Sequence, residues 1–413
     1  MDRSQPTRSR RDIVILFATR IIRLFCYGSL SVILALYLSE VGLNEKEIGL
    51  LFTLTLAGDA AITLWLTTSA DRFGRKRTLI AGASLMLGAG LIFILTRNFI
   101  FLMAAAIIGV ISPSGNEIGP FLSIEQAALT QLLPNKKRTQ TFAWYALVGS
   151  LATATGALAG GWLTQLLIEG GMDTLDAYRY VLAGYAWGGL MLGILFLSLS
   201  SRVEVTILPE PASIRRVLGL SHSRNVVLKL SALFAMDAFG GGLIVQALFA
   251  YWFHVRFGVD AGVIGSIFFG ANILAAVSAL LAVKLAEKIG LINTMVFTHI
   301  PSNILLILIP LMPSLPLAVA VLLLRFSISQ MDVPTRQSYT MGVVSPEERS
   351  AASGVTTIAR SVGAAISPTL TGIFLATPAL INAPFFVAGA VKILYDLLLY
   401  RSFVGHKPPE ERS

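Results

Sequence analysis

The sequence predicts an all-α, polytopic membrane protein of twelve transmembrane helices, arranged as two pseudo-symmetric six-helix bundles. Three observations predict it. The chain is 55% hydrophobic and only 13% charged, with a mean hydropathy of +0.74, whereas soluble domains carry about a quarter charged residues. The apolar residues come in blocks of about twenty, the length at which a helix crosses a hydrocarbon core of about 30 Å. The second half of the chain also repeats the first. A β-barrel would show alternating segments of about ten residues, and none is visible.

The spans fall at 12–38, 47–69, 78–96, 99–133, 139–168 and 178–200. Six more follow at 227–254, 261–284, 291–312, 316–344, 350–376 and 380–400. The expected organisation is a tail at 1–11, an N-terminal bundle at 12–200, a polar linker at 201–226, a C-terminal bundle at 227–404 and a tail at 405–413. The first block follows "RSRR", is too long for a signal-peptide core and shows no small-residue cleavage site, so it reads as a retained helix.

Lysine and arginine set the orientation. Placing both ends inside gives the inner loops and tails twenty-two of them and the outer loops four: Lys46, Arg97, Arg179 and Arg256. Both termini are therefore expected to be cytoplasmic, in the plasma or inner membrane. The net charge of +9 is then a topology signal and a contact for anionic lipid, not a nucleic-acid footprint. The single cysteine, Cys26, forms no intrachain disulfide, and the four histidines lack metal-ligand spacing. Neither metal nor cofactor is expected, and the expected state is a monomer.

The halves align. "VGLNEKEIGLLF" at Val41–Phe52 matches "FGVDAGVIGSIF" at Phe257–Phe268, and "ADRFG" at Ala70–Gly74 matches "AEKIG" at Ala286–Gly290, both at an offset of 216. Later pairs (Glu125 with Arg336, Arg138 with Arg349, Gly161 with Gly372) keep an offset of 211. The first half thus carries about five extra residues. Their home is "ISPSGNEIGPF" at Ile111–Phe121 in the fourth span, where two prolines and two glycines break a helix. The tenth span has no such run. Parallel six-helix repeats point to a transporter with two rocking halves.

The loop "SADRFGRKRTL" at Ser69–Leu79 carries the most specific motif. Asp71, Arg72, Gly74, Arg75 and Lys76 match the loop pattern between helices 2 and 3 of the major facilitator superfamily, which this chain resembles over about residues 12–400. Thr67 replaces the leading glycine of that pattern, and Glu287, Lys288 and Gly290 form a degraded second copy. Asp71 is expected to bond the amides of a neighbouring helix N-terminus, and Arg72 and Arg75 to reach acids or helix C-termini. The resemblance implies that Asp71, Arg72, Gly74 and Arg75 gate, holding the outward-open state and releasing as the cytoplasmic side opens. "GALAGG" at Gly156–Gly161 lies where antiporters of the family often carry a glycine-proline motif, here without the proline. The second half has "SPTLTG" at Ser367–Gly372.

A charge at mid-bilayer costs about 2.5–3.5 kcal/mol or more, so it usually lines a cavity or is paired. Helix 1 has Arg20 and Arg23, with Tyr27 and Ser31 continuing one face; helix 4 has Glu117 and Glu125. Helix 7 has Asp237, and helix 10 has Arg325, Asp332 and Arg336. The resemblance implies that helices 1, 4, 7 and 10 line the central cavity. Arg20 and Arg23 lie about 12–16 Å along a helix from Asp12, and Glu125 about 13 Å before Pro134. A pair between Glu125 and either arginine is open. Asp59, Arg360, Lys392 and Asp396 read as structural pairs or end-snorkelling groups.

A protonatable acid beside a base can couple proton movement to transport, because gaining the proton frees the base. Glu125 is the expected proton carrier, with Asp237 second. Arg20, Arg23, Tyr27, Glu117, Asp332 and Arg336 are the expected substrate-binding set. The expected function is proton-coupled secondary transport of a small organic solute, with antiport (efflux) ahead of symport importing an organic anion. A membrane enzyme would need HExxH, GxSxG or clustered His/Cys, which are missing. A sensor would need a signalling domain, for which the tails are too short.

Overall fold

The computed structural model describes residues 5–117, 119–204 and 223–406. Most of the expected tails and linker lies outside these residues. The first, second and third spans are single helices: α1 (Gln5–Val41), α2 (Glu45–Phe73) and α3 (Arg75–Leu95). The fourth is split into α4 (Phe99–Ile108) and α5 (Phe121–Leu132). Then come α6 (Asn135–Glu169) and α7 (Thr174–Leu197). The seventh span is split into α8 (Arg224–Gly242) and α9 (Gln246–Phe257), and is followed by α10 (Ala261–Ile289) and α11 (Leu291–Leu308). The tenth is split into α12 (Leu315–Phe326) and α13 (Asp332–Gly342), before α14 (Arg349–Leu375) and α15 (Ala383–Phe403). Among the described residues, ten stretches are long and apolar enough to cross a membrane, and α4 and α12 are shorter apolar helices. Paired with α5 and α13, these two complete the twelve-segment plan.

The breaks have local causes. Between α4 and α5, Val110, Gly115 and Gly119 have positive φ, and Pro113 and Pro120 withhold backbone donors. A β-branched residue rarely adopts the conformation of Val110. Here the Tyr185 hydroxyl donates to the carbonyls of Gly109 (3.3 Å) and Val110 (3.0 Å), holding the turn. The tenth span breaks as well, although it lacks a Pro/Gly run. Pro334 sits in the first turn of α13, and its ring excludes a helical carbonyl four residues earlier, at Gln330. The Gln330 amide turns aside to donate to Ser278 Oγ (3.2 Å).

The chain packs as two compact units. Unit 1 takes Met1–Asn44, Leu54–Pro209 and Gln246–Phe269, and unit 2 takes Glu45–Thr53, Glu210–Val245 and Gly270–Ser413. In unit 1, α1 runs along α6 and α7, and α3 packs on α7. In unit 2, α8 runs along α14, and α15 packs on α8 and α11. The units thus divide differently from the expected bundles at 12–200 and 227–404. The first turns of α2 go with unit 2, and α9 with the start of α10 goes with unit 1.

Glycine contacts explain that exchange. A Cβ on Gly161 would lie 2.3 Å from the Ala261 carbonyl oxygen and 2.9 Å from Gly265 Cα. A Cβ on Gly372 would lie 2.3 Å from the Glu45 carbonyl oxygen and 3.0 Å from Gly49 Cα. Gly161 and Gly372 are repeat equivalents, as are Gly49 and Gly265. Each unit therefore holds one copy of the same backbone-to-backbone crossing, closed by the small-residue packing common between membrane helices. Gly161→Ala should destabilise the purified protein by about 1–3 kcal/mol, the usual cost of overpacking. Gly184→Ala, with open space around its Cβ, should not destabilise. Thermal unfolding in detergent separates the two, and equal shifts would refute the crossing.

Candidate functional site

In unit 1, α1 presents Arg20 and Arg23 to the acids of the split fourth segment. Arg23 makes a bidentate pair with Glu125, Nη2 to Oε2 at 2.6 Å and Nη1 to Oε1 at 2.9 Å. Its Nε donates to Glu117 Oε1 at 2.7 Å, and Arg20 Nη1 donates to Glu117 Oε2 at 2.8 Å. Arg20 Nε also donates to the Tyr145 carbonyl at 2.7 Å. The Tyr145 hydroxyl donates to Glu125 Oε2, and the Thr19 hydroxyl lies 3.0 Å from Oε1. Arg20 stacks over Tyr145, and Arg23 over Phe121. Arg23 and Glu125 are fully buried, whereas the Glu117 side chain keeps 12% exposure. Two bases and two acids thus balance, with Glu117 the most open member. The pairing that spacing left open is now definite: Glu125 with Arg23, and Arg20 with Glu117.

Tyr27 continues the Arg20–Arg23 face, fully buried, and its hydroxyl has no hydrogen-bond partner among the described residues. Ser31, one turn further, accepts from Gln246 Nε2 at 2.7 Å. Asp59 accepts from the Gly119 amide at 2.7 Å and so braces the break below α5.

In unit 2, three bases converge on Asp237. Lys392 Nζ lies 2.6 Å from Oδ1; Arg360 Nη1 at 3.0 Å and Arg336 Nη1 at 3.4 Å reach Oδ2. Arg336 is also held by Asp332 at 2.5 Å. His299 bridges two acids, with Nε2 3.8 Å from Asp237 and Nδ1 2.8 Å from Asp396. Asn303 Nδ2 donates to Asp396 Oδ2 at 3.1 Å. Asp237, Asp332 and Arg336, picked out from the sequence, therefore meet. So do Arg360, Lys392 and Asp396, which the sequence marks as structural pairs or end-snorkelling groups. His299, one of four histidines without metal-ligand spacing in the sequence, joins the cluster through Asp237 and Asp396. One signal was available: His299 and Asn303 on α11, and Lys392 and Asp396 on α15, are both i,i+4 polar pairs in apolar helices.

The two clusters are related by the repeat, with the charge reversed. Arg336 occupies the position equivalent to Glu125, and Asp237 the position equivalent to residue 21, between Arg20 and Arg23. In unit 1 the first helix of the repeat supplies bases and the fourth supplies acids. In unit 2 the first supplies the acid and the fourth the base.

Of the expected gating residues, the side chains of Asp71 and Arg72 lie outside the described residues. Gly74 turns the chain with φ of 97° into α3. The acid found at this helix N-terminus is Glu204. It accepts from the amides of Arg75 (2.7 Å) and Lys76 (3.2 Å). The Arg75 side chain donates to Gln131 Oε1 at 3.0 Å, and Lys76 Nζ to the Leu199 carbonyl at 2.9 Å. The left-handed turn at Gly74 orients those amides, and an anion there complements the helix dipole. Glu204→Ala should cost about 1 kcal/mol, as other N-terminal caps do. An unchanged unfolding temperature would show that this cap carries no stability.

A profile of the Major Facilitator Superfamily matches residues 16–368 and 230–413. An uncharacterized membrane protein of Saccharomyces cerevisiae is 32% identical over 424 residues, covering 96% of this chain and 94% of that protein. Among solved structures, the nucleoside transporter NupG aligns with a TM-score of 0.73 at 14% identity, over 95% of this chain and 98% of its own. A D-xylose-proton symporter aligns with a TM-score of 0.71 at 15% identity, over 94% and 97%. A bacterial homolog of the human lysosomal transporter Spinster, inward-facing and unoccupied, aligns with a TM-score of 0.69 at 16% identity, over 98% and 96%. At these identities the three structures speak for the fold alone.

Proposed function

The chain belongs to the major facilitator superfamily and is a membrane-embedded solute transporter; from that premise we propose that it couples the movement of a small organic solute to protons, as an antiporter. The proposal places it in the plasma or inner membrane as a monomer, both termini cytoplasmic. One observation carries the coupling: Glu125, a fully buried carboxylate, is bonded at once by Arg23 and Tyr145. When ionised it fixes Arg23 in a bidentate clamp. When protonated it gives up much of that attraction and frees the guanidinium to reorient. A proton and a rearrangement of α1 against α5 and α6 are thereby linked. Asp237, with three bases around it, is the second candidate carrier, in unit 2.

The antiport direction is supported by "GALAGG" at Gly156–Gly161. There Gly156 and Gly160 bring α6 against the α1 backbone at Phe25 and Ser29, while Gly161 faces α10. Proteoliposomes carrying an imposed pH gradient and a panel of labelled organic solutes test the proposal. Solute is expected to move against the proton, and collapsing the gradient should stop it. Solute moving with the proton would replace antiport by symport. Flux indifferent to the gradient would remove proton coupling altogether.

A further inference from the structure

The geometry points to a binding site for the carboxylate of a small organic anion at Arg325, at the break in the tenth segment. This deepens the transporter reading by naming a substrate class and rests on that reading. Among the buried bases, Arg20 and Arg23 are held by Glu117 and Glu125, and Arg336 and Lys392 by Asp237. Arg336, in the expected substrate-binding set, is already engaged, and so are Arg20 and Arg23. Arg325 differs. It is 8% exposed, its Nε is buried with no acceptor, and no hydrogen bond or ion pair from a described residue reaches its guanidinium. Its aromatic contact is the ring of its own neighbour, Phe326, at 5.1 Å. The acid seven residues on, Asp332, is taken by Arg336.

The position makes an unpaired guanidinium costly. Arg325 lies ten residues into α12, about 15 Å along the axis, so it sits near the middle of a hydrocarbon core of about 30 Å. It does not escape towards lipid. Ala318, Leu322 and Arg325 form the buried stripe of α12, while Leu317 and Leu324 on the other side are 49% and 57% exposed. A charge at such depth calls for a counter-charge. The charge of Asp332 reaches Arg325, but its carboxylate is bonded to Arg336 at 2.5 Å and makes no ion pair with Arg325 among the described residues. Immediately beyond Arg325 the helix stops, and Ser329 in the turn is also buried, its hydroxyl unpartnered among the described residues. A broken helix at mid-depth with a free guanidinium and a free hydroxyl is equipped to take one carboxylate.

Equilibrium binding to the purified full-length protein in detergent needs no gradient, so its failure is distinct from failure of the coupling assay. Thermal unfolding is followed with sodium acetate, lactate or benzoate, with benzamide as the neutral counterpart of benzoate, and with sodium chloride. At least one monocarboxylate is expected to give a saturable rise in unfolding temperature, and benzamide none. The rise should vanish in Arg325→Gln, weaken in Ser329→Ala and persist with lower affinity in Arg325→Lys. An equal rise in wild type and Arg325→Gln would overturn the site, as would no response of wild type to any of the three acids. A response to chloride alone, lost in Arg325→Gln, would overturn the organic assignment. Should Arg325→Gln fail to fold, the Ser329→Ala and Arg325→Lys comparisons decide in the same sense.

Discussion

Proton-driven solute movement is expected to fall at least tenfold in Glu125→Gln, while exchange of solute at zero pH gradient continues. Glutamine keeps the size of the side chain and one acceptor oxygen. It loses the charge, and it turns an amide group, a donor, towards Arg23 or Tyr145, which are themselves donors. The bidentate clamp at 2.6 and 2.9 Å then cannot form, and no proton can be carried at this position. If the clamp and the proton are one device, gradient-driven flux disappears and exchange survives, because exchange needs the moving helices but no net proton. Flux that keeps its pH dependence in Glu125→Gln would sink the assignment. The variant should also lose stability, since removing one member of a buried pair costs about 3–5 kcal/mol. Arg23→Gln combined with Glu125→Gln should recover part of that loss, leaving Arg20 with Glu117.

The second large effect is expected at Asp237. Asp237→Asn leaves Lys392, Arg360 and Arg336 around a neutral amide. Two of these bases keep less than a tenth of their side chains exposed. An uncompensated buried charge is among the costliest defects a fold can carry, about 3–5 kcal/mol for a broken buried pair. Thermal unfolding and yield in detergent should both drop sharply. Lys392→Met, which removes the nearest base at 2.6 Å, should restore stability when combined with Asp237→Asn, and should itself be harmful alone. Such non-additivity is the signature of groups in contact. If the two substitutions simply add, the cluster is not the unit that the geometry describes. The pair also separates structure from coupling. A stable double variant that still couples protons would leave Glu125 as the carrier and confine Asp237 to holding unit 2 together.

The amino-acid sequence alone determined the membrane class, the twelve segments, the internal repeat and the roll of charges worth attention. All of these follow from local composition, helix period and segment length. The break before Phe121 was legible because proline and glycine announce it. The break before Asp332 was hidden, because it depends on one proline inside the following turn and on Ser278 of another helix receiving the diverted amide. Only the tertiary structure decided which charge meets which. It set Arg23 on Glu125, drew Arg360 and Lys392 onto Asp237, and joined His299 to Asp396. It put Glu204 at the start of α3 and left Arg325 without an ion pair among the described residues. The physical reason is that an ion pair across helices needs matching depth and matching azimuth on both. Depth can be counted along a sequence, but azimuth is decided by how glycine and other small residues let one helix lie against the next.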